Sequence, residues 1–380
     1  MVNGLMRMPV VLNNFNSKDK ILYFRKMTLL RKILFPFAVL FGIITDIRNF
    51  LYDRQILKST VFDIPVIAVG NLNVGGTGKS PQIEYLIRLL SPKYTVATLS
   101  RGYKRTSEGF IQADETSTAS TLGDEPFQFH RKFQNILVAV DADRRNGIEQ
   151  LLKQHPKPDI ILLDDAFQHR KVSAGFYILL TAYGDLYSDD FMLPTGNLRE
   201  GRNGAKRADV VVVTKCPKDL SANEQTHIRK ELKLNKVQQL AFSYIDYDEK
   251  VYGEGDAVPT AEIKGEPKVL LAGIAKPKPF FSYLQHEGDM ILEFPDHHAF
   301  TDAEISEIRE KAKDLKLKGG RPVGLRYSDS ARILTTEKDY VRLKKHVLEN
   351  LYYLPIKSSF ISGSENFDSI ILNFVGNTMQ

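Results

Sequence analysis

The sequence predicts an α/β protein with a mostly parallel sheet in its main domain and a smaller α/β domain after it. Near-continuous apolar runs alternate with helical or loop segments from residue 65 onward, which is the pattern of strands buried on both faces of a parallel sheet. A glycine-rich loop joins the first such strand to an amphipathic helix. A polar stretch with glycine and proline, Tyr244 to Pro267, precedes a second set of strands. The length of 380 residues accommodates two domains of this kind.

Composition narrows the class of protein. The net charge of +6 is a mild excess, which fits anionic substrates or an anionic membrane face better than dedicated nucleic-acid binding. The single cysteine, Cys216, precludes an intramolecular disulfide and favours a reducing compartment. The sequence shows no secretory signal, and no run reaches the ~18–20 uncharged apolar residues of a membrane span. We therefore expect the functional site to face the cytoplasm.

Residues 1–60 form an N-terminal segment that contains an uncharged apolar run from Ile33 to Thr45. Basic residues precede this run, at Arg25, Lys26, Arg31 and Lys32. The run is too short to span a bilayer and too apolar for an ordinary surface helix, so it predicts a helix that lies in the headgroup region of a membrane. A helix packed on the main domain is the alternative.

The main domain, residues 61–245, is predicted from a series of strand-like runs. These runs are Val66–Gly70, Thr95–Ser100, Ile136–Val140, Asp159–Asp164, Phe176–Thr181 and Asp209–Thr214. Residues 246–267 are predicted to be a linker, and residues 268–380 a smaller C-terminal α/β domain. The elements expected there are strands near Val269–Ala272, Arg332–Thr335 and Leu351–Leu354, and a helix from Asp302 to Leu315.

The glycine-rich loop is the most informative segment, and it is Asn73-Val74-Gly75-Gly76-Thr77-Gly78-Lys79-Ser80. Its glycines allow backbone N–H groups to surround a phosphate chain, and the N-terminus of the following helix adds a favourable partial charge. Lys79 is expected to reach the outer phosphates, and the Ser80 hydroxyl to bind Mg²⁺. Although Asn73 replaces the first glycine of the usual pattern, the loop predicts a P-loop NTPase core that binds a nucleoside triphosphate. A glycine-rich turn without a ligand is the alternative.

Paired carboxylates follow a buried strand further along the chain, in Ile160-Ile161-Leu162-Leu163-Asp164-Asp165. A strand that ends in carboxylates beside a P-loop predicts a Walker B site, in which Asp164 and Asp165 serve Mg²⁺ against the phosphates. The alternative is that these side chains cap the next turn. His169 follows shortly after, and it is expected either to orient a carboxylate or a metal-bound water, or to be structural.

Other loops carry polar side chains suited to a site. The segment from Leu193 to Arg202 places Arg199 in a loop with glycine and proline, which suits phosphate binding. Lys215, in Thr214-Lys215, resembles the start of a base-contacting motif of P-loop GTPases, although Pro217 replaces the expected aspartate.

Two acidic segments give weaker indications. Gly123-Asp124-Glu125-Pro126, taken alone, fits a solvated turn. For Asp296-His297-His298, an acid–base role fits better than a zinc site. Adjacent histidines on an extended segment point in opposite directions, and these residues do not make a full ligand set.

In this order, the segments resemble the tetraacyldisaccharide 4'-kinase family, and the ordered set is more specific than any single motif. The resemblance covers most of residues 60–345. It is carried by the P-loop and by Leu99–Tyr103, Gly123–Pro126, Asp164–His169, Pro194–Glu200, Val213–Lys215, Ala272–Ile274, Asp296–His298 and Thr335–Asp339. The chain departs from the family pattern at Lys104, Ala166 and Ala275-Lys276-Pro277.

The resemblance implies phosphorylation of the 4'-hydroxyl of a tetraacyldisaccharide 1-phosphate in lipid A biosynthesis, with ATP and Mg²⁺. It implies a membrane-associated N-terminal helix and a C-terminal domain that closes over the nucleotide. The expected location is the cytoplasmic face of the inner membrane of a Gram-negative bacterium. The expected partners are the lipid substrate and the membrane surface, with no nucleic acid and no obligatory protein partner.

The resemblance also implies roles for individual residues. Asp124 is expected to act as general base toward the sugar hydroxyl, supported by His297. Arg144 and Arg199 match arginines placed near the transferred or substrate phosphate. The nucleotide is expected to contact the P-loop residues Asn73, Val74, Gly75, Gly76, Thr77, Gly78, Lys79 and Ser80, together with Lys215. The metal is expected at Ser80, Asp164 and Asp165.

Two other classes of function remain open from the residues themselves. A membrane-associated P-loop ATPase switch would control a partner, but ATPases of that division often carry lysine at the position of Val74. A kinase or ligase of a soluble metabolite leaves the run from Ile33 to Thr45 with a purely structural explanation. A test of whether ATP turnover depends stoichiometrically on a lipid disaccharide separates these two classes from the lipid kinase.

Overall fold

The computed structural model describes residues 29–274, 276–296, 298–319, 330–361 and 364–379. The strands are β1 Val66–Asn71, β2 Val96–Ser100, β3 Ile111–Gln112, β4 Leu137–Val140, β5 Ile160–Asp164, β6 Phe176–Ala182, β7 Val210–Thr214, β8 Gln239–Tyr247, β9 Lys250–Val251, β10 Val258–Pro259, β11 Val269–Ala272, β12 Met290–Glu293, β13 Ile333–Thr336, β14 Leu351–Leu354 and β15 Ile356–Phe360. The helices are α1 Leu29–Ile33, α2 Phe35–Asp53, α3 Lys79–Leu90, α4 Ala119–Leu122, α5 Asp124–Lys132, α6 Arg144–Leu151, α7 Ala222–Leu232, α8 Thr260–Lys264, α9 Lys278–Leu284, α10 Asp302–Gly319, α11 Glu337–Leu343 and α12 Ser364–Thr378. Short 3-10 helices cover Arg202–Arg207 and Lys344–His346.

The chain forms two compact units, of which the first extends to Ile245 and resumes at Ser358, and the second is Asp246–Lys357. The first contains a nine-stranded sheet in the order β15-β8-β7-β6-β1-β5-β2-β4-β3. The pairs from β8 to β4 are parallel, and β3 pairs with β4 in antiparallel fashion. The second contains a parallel sheet in the order β12-β11-β13-β14. The predicted α/β class with a mostly parallel sheet is confirmed.

The central strands are buried on both faces, which explains why their sequences are apolar throughout. In β1, Ile67 and Val69 pack in one apolar cluster with α3 and α12. The alternate residues Val66 and Ala68 pack in another cluster with residues of α6. Because successive side chains of a strand point to opposite faces, neither face of β1 tolerates a polar residue before the strand reaches its carboxyl end.

The bounds of the C-terminal domain differ from those predicted. Residues 268–380 are predicted to form one domain, but the chain returns to the first unit at Ser358. There β15 lies beside β8, and the Ile361 N–H donates to the Phe242 carbonyl at 3.0 Å. Helix α12 then buries its apolar face in the main core. The prediction was wrong after Lys357 because an apolar strand and an amphipathic helix fit either sheet equally well.

The segment predicted to be a linker, residues 246–267, is part of the second unit. It contains β9, β10 and α8. Val251 and Ile263 are fully buried in an apolar cluster with Leu270 of β11. Its polar composition therefore reflects short elements at the edge of a core rather than a connection without packing.

Helix α2 packs on the first unit through a narrow face and exposes a broad apolar one. Its buried residues are Ala38, Thr45 and Asn49. Its exposed apolar residues are Phe35, Phe37, Val39, Leu40, Phe41, Ile43, Ile44, Ile47 and Phe50. The helix is longer than the run Ile33–Thr45, because Ile47 and Phe50 continue the outer face. By length and composition alone, the whole helix is long and apolar enough to cross a membrane, whereas the uncharged run from Ile33 to Thr45 covers only part of it.

Gly70 in β1 lies where the chain after the paired aspartates crosses the strand. A Cβ atom at Gly70 would lie 2.7 Å from Cβ of Phe167 and 3.0 Å from its backbone nitrogen. The close approach sets the position of Phe167, which is fully buried.

We expect Gly70→Ala to lower the free energy of unfolding by about 1–3 kcal/mol, because overpacking forces backbone shifts. Gly376→Ala in α12 is the matched control, since no atom lies within 4 Å of the added Cβ. There alanine should be neutral or stabilise the helix by up to ~1 kcal/mol. Thermal and urea unfolding of both variants measure the difference, and similar effects at the two positions would contradict the argument.

Candidate active site

The carboxyl ends of the central parallel strands bring the predicted site residues to one edge of the nine-stranded sheet. β1 ends at Asn71 before the P-loop, and β5, which pairs with β1, ends at Asp164. β7 ends at Thr214 and Lys215 follows. Ligands of open α/β sheets bind outside the carboxyl ends of the strands. The topology therefore places the P-loop, the paired aspartates and Lys215 at the edge where a ligand is expected.

The conformation of the P-loop depends on two glycines. Gly75 and Gly78 have φ of +127° and +86°, values that side-chain-bearing residues rarely adopt. Gly78 is the N-cap of α3, so that Lys79 and Ser80 lie in its first turn. The hydroxyl of Thr77 is buried, and within the part of the chain that the structure describes it has no hydrogen-bond partner. The loop thus presents a helix N-terminus and polar side chains together, as an anion site requires.

The residues at the end of β7 are hydrogen-bonded to the P-loop. The Thr214 hydroxyl donates to the Thr77 carbonyl at 2.7 Å. Lys215 Nζ donates to the Gly76 carbonyl. Both side chains therefore position the loop from the neighbouring strand, while the contact of Lys215 with a nucleotide stays a prediction.

Asn73, which departs from the usual glycine, has a structural role of its own. Its Nδ2 donates to Asp190 Oδ2 at 3.1 Å, and both residues are buried. Asp190 Oδ1 also accepts from the Asn197 N–H at 3.2 Å. The asparagine therefore ties the start of the P-loop to the loop that carries Arg199. Sequence reasoning missed Asp190, because nothing in the local pattern indicates a partner so distant in the chain.

Asp164 and Asp165 are adjacent but have opposite pKa shifts. Burial, together with the charges of Glu125 and Asp165, raises the pKa of Asp164 to about 7. Burial acts on Asp165 as well, but hydrogen bonds from Arg199 and the charge of Lys79 outweigh it and lower its pKa to about 2. Asp165 therefore stays ionised to a lower pH, and Asp164 keeps its proton to a higher pH, than an ordinary aspartate.

Arg199 and Lys79 both lie at Asp165. Arg199 forms a bidentate pair with that carboxylate, with Nη1 3.0 Å from Oδ2 and Nη2 2.8 Å from Oδ1. Its Nη2 also donates to the Asn71 carbonyl at 3.0 Å. Lys79 Nζ is 3.7 Å from Asp165 Oδ1. The structure thus brings together residues from the P-loop, β5 and the 194–202 loop.

Helix α5 contributes a carboxylate that the sequence analysis did not assign to the site. The Ser80 hydroxyl donates to Glu125 Oε1 at 2.9 Å. Glu125 lies in the first turn of α5, directly after Asp124, the predicted base. The acidic pair in Gly123–Pro126 was the signal in the sequence that could have indicated this contact. Its proximity to the P-loop, however, depends on the fold of two intervening strands.

The oxygen donors here fit the ligand preference of Mg²⁺. Asp164 is buried and its Oδ1 has no hydrogen-bond partner among the described residues, and the Ser80 hydroxyl and Asp165 belong to the same cluster of groups. Among the residues that the structure describes, no group of three or more His, Cys, Asp or Glu side chains is arranged to hold a metal. Mg²⁺ at phosphotransferase sites takes one or two carboxylates, and substrate phosphates and water supply the other ligands. The residues present therefore suit Mg²⁺ bound with a nucleotide.

Arg144 lies behind the paired aspartates rather than at the surface. It is 3% exposed and donates to the carbonyls of Asp141 at 3.0 Å and Asp164 at 3.4 Å. Burial lowers its pKa to about 10, so it is charged at neutral pH. Burial, followed by the charge of Arg144, lowers the pKa of His169 to about 4. His169 is therefore uncharged at neutral pH, and both interpretations that the sequence left open for it stay predictions.

The histidine segment belongs to the second unit. His297 lies outside the described residues. His298 Nε2 is 2.9 Å from Glu304 Oε1, and its ring stacks on Phe294 with 5.0 Å between centroids. These contacts give His298 a structural partner on α10.

A P-loop beside paired aspartates on a parallel sheet defines the class of P-loop phosphotransferases. A family model described as Tetraacyldisaccharide-1-P 4'-kinase matches residues 30–376. The chain belongs to this family and is an ATP-binding kinase, a transferase of lipid A biosynthesis.

Individual relatives agree with the family match. The tetraacyldisaccharide 4'-kinase of Flavobacterium johnsoniae is 63% identical over 355 residues, which are 93% of this chain and 100% of that protein. The enzyme of Parabacteroides distasonis is 43% identical over 361 residues, which are 90% and 94% of the two chains. The crystal structure of the "apo" form of LpxK from Aquifex aeolicus in complex with ATP has a TM-score of 0.71 and 28% identity, and the match covers 91% of this chain and 100% of that one.

The opposite pKa shifts of the paired aspartates predict opposite effects on stability. Asp164 binds its proton more tightly in the folded state, so the free energy of unfolding falls as the pH rises from about 4 to about 7. Asp165 is stabilised as an anion, and its contribution is present above the ordinary carboxyl pKa and lost as the pH falls toward about 2.

We therefore expect Asp164→Asn to raise the melting temperature of the ligand-free protein at about pH 8, and by less at about pH 5. Asp165→Asn should lower it at both pH values, since it removes the bidentate pair with Arg199. Shifts of about 2–4 °C correspond to 1 kcal/mol in domains of 150–250 residues. Differential scanning calorimetry without nucleotide or metal measures both, and destabilisation by Asp164→Asn at the higher pH would contradict the assignment.

Proposed function

We propose that this chain transfers the γ-phosphoryl group of ATP to the 4'-hydroxyl of a tetraacyldisaccharide 1-phosphate. The observation that carries the proposal is the cluster of Lys79, Ser80, Asp164, Asp165 and Arg199 at one sheet edge, in a chain of this family. Phosphoryl transfer depends on alignment and charge neutralisation more than on covalent chemistry. The cluster supplies both.

The P-loop, Asn73 to Ser80, is proposed to bind the phosphate chain through its backbone N–H groups and through Lys79, with Lys215 completing the nucleotide contacts. Ser80, Asp164 and Asp165 would hold Mg²⁺, which when bound neutralises charge on the phosphates. Because burial raises the pKa of Asp164 to about 7, Asp164 would serve the metal in its deprotonated form. Lys79 and Arg199, which pair with Asp165 in the structure, would supply positive charge for the phosphate oxygens.

Asp124 is proposed to accept the proton of the sugar hydroxyl, since it begins α5 beside Glu125, which already contacts Ser80 of the P-loop. His297 is proposed to support it, on the basis of the family motif. Arg144 is proposed to act through Asp164, because its guanidinium is buried and its bonds go to backbone carbonyls. A positioned base of this kind contributes about 10²–10⁴-fold to a transfer rate.

The test is transfer of labelled phosphate from ATP to purified lipid disaccharide 1-phosphate. Lys79→Ala should lower kcat at least ~100-fold because it removes a charge that stabilises the transferred group. Asp124→Asn should lower kcat by about 10²–10⁴-fold with little change in the KM for ATP. Lys93→Ala, an exposed lysine just after α3, is the control and should be unaffected.

The outcomes separate the three classes of function. Stoichiometric labelling of the lipid supports the kinase. ATP hydrolysis of equal rate with and without lipid would favour a nucleotide switch, and labelling of soluble extract metabolites alone would favour another acceptor.

The chain is further proposed to work at the cytoplasmic face of the inner membrane, attached through α2. The support is the broad apolar face of that helix, on which Phe37 is 62% exposed and Ile44 56%. Exposed apolar area of this extent on one helix is typical of a membrane contact. The lipid substrate and the membrane surface are its proposed partners.

Replacing Phe37 and Ile44 together by glutamate should abolish flotation with vesicles that contain anionic phospholipid, because two charges would enter the apolar region. Val237→Glu, at an exposed apolar residue outside α2 that is 81% exposed, is the control and should float like the unaltered protein. Co-flotation of the double variant at the unaltered level would move the attachment site to another surface.

A further inference from the structure

A buried hydrogen bond connects the N-terminal helix to the loop of the active site. Asn49 of α2 is 8% exposed, and its Nδ2 donates to Glu200 Oε2 at 3.0 Å. The orientation of the amide is consistent with its other contact, since Arg48 Nη2 donates to Asn49 Oδ1 at 3.3 Å. The amide nitrogen therefore faces the carboxylate.

Glu200 is fully buried and accepts hydrogen bonds from three parts of the first unit. Arg207 Nη2 lies 2.8 Å from Oε1 and 3.0 Å from Oε2. Gln168 Nε2 lies 2.9 Å from Oε1 and also donates to the Asn71 carbonyl at 2.9 Å. A buried carboxylate is tolerated only where donors of this kind satisfy it. Asn49 is the donor that comes from α2.

Glu200 directly follows Arg199, so the position of its carboxylate determines where the Arg199 backbone lies. Arg199 in turn forms the bidentate pair with Asp165. Arg199 and Gln168 each donate to the Asn71 carbonyl, so the contacts of Glu200 and those of Arg199 meet at the end of β1. The path from α2 to the paired aspartates is therefore continuous and consists of short polar contacts.

Other contacts place α2 along the same loop. The Thr195 hydroxyl donates to the Arg31 carbonyl at 3.2 Å, just before α2 begins. A Cβ at Gly201 would lie 2.8 Å from Asp46 Oδ1, so the loop passes close to the helix beside Glu200. The loop that carries Arg199 thus contacts α1 at Thr195 and lies close to α2 at Gly201.

We propose that Asn49 is a positioning residue for phosphoryl transfer: through Glu200, it sets the geometry of Arg199 at the paired aspartates. The inference rests on the proposed role of Arg199 in transfer. It makes α2 a part of the catalytic architecture in addition to any contact with lipid. A positioning role of this kind predicts an effect on kcat that is separable from attachment to vesicles.

Asn49→Ala should lower kcat roughly tenfold or more, the scale of one lost hydrogen bond to a charged group, with the KM for ATP and vesicle flotation unchanged. Thr45→Ala is the matched control on the same helix. Thr45 is 6% exposed, and its hydroxyl donates to the Gly42 carbonyl of the same helix at 2.9 Å. It should retain the unaltered kcat.

Asn49→Asp supplies a readout that a packing role would not produce. Its carboxylate faces Glu200 and repels it, so kcat should be lower than in Asn49→Ala at about pH 8. Toward lower pH the introduced carboxyl is protonated and donates to Glu200, so its kcat relative to the unaltered protein should recover, while the ratio for Asn49→Ala stays flat. Melting temperatures at each pH confirm that the variants are folded.

Arg199→Ala, alone and combined with Asn49→Ala, separates the possible failures. If Asn49 acts through Arg199, the double variant should be no worse than Arg199→Ala. A strong loss in Arg199→Ala with no loss in Asn49→Ala would overturn the inference and leave the proposed function intact. No loss in Arg199→Ala would instead overturn the proposed role of Arg199. Equal losses in Asn49→Ala and Thr45→Ala, or loss of flotation in parallel with kcat, would reduce Asn49 to a packing contact.

Discussion

The paired aspartates at the end of β5 are the constraint on which the arrangement of the site depends. A strand buried on both faces delivers Asp164 and Asp165 to a place where water does not solvate both charges, and burial of charge is costly unless it is compensated. Lys79 at the start of α3, Arg144 at the start of α6 and Arg199 in the 194–202 loop supply that compensation. Three separate segments of the first unit therefore converge on one pair of side chains.

Asp164 and Asp165 have different hydrogen-bond partners, and this difference separates their pKa values. Asp165 receives the bidentate pair with Arg199, while Asp164 accepts a hydrogen bond from the Ser100 hydroxyl at 3.3 Å. Asp165 is thus kept ionised, and burial together with acidic neighbours raises the pKa of Asp164. Because Asp164 keeps its proton to a higher pH, the pair avoids holding two full negative charges side by side.

The features that could be predicted from the sequence are those determined by residues close together in the chain. Strands β1, β5 and β7 were predictable because both of their faces are buried, so each is a continuous apolar run. The P-loop was predictable because Gly75 and Gly78 must take positive φ beside a helix N-terminus. The partners of Asn73 and Ser80, Asp190 and Glu125, could not be predicted, since their proximity depends on the order of strands in the sheet. The return of β15 and α12 to the first unit was missed for the same reason. The periodicity of their apolar residues shows which face of each element is buried, but it does not show against which sheet that face packs.

That return has a consequence for how the protein is made. Phe367, Ile371 and Val375 of α12 pack in one apolar cluster with Ile67 and Val69 of β1 and with the buried residues of α3. The hydroxyl of Tyr85, in α3, also donates to Asp368 Oδ1 at 2.8 Å. During translation these residues leave the ribosome only after the whole of Asp246–Lys357. While Asp246–Lys357 is being made, the nascent first unit, including its P-loop helix, therefore exposes one apolar face, and this is when chaperones are most needed. A chain interrupted before α12 would be released with an open core, so this helix closes the first unit only after the second unit has been translated.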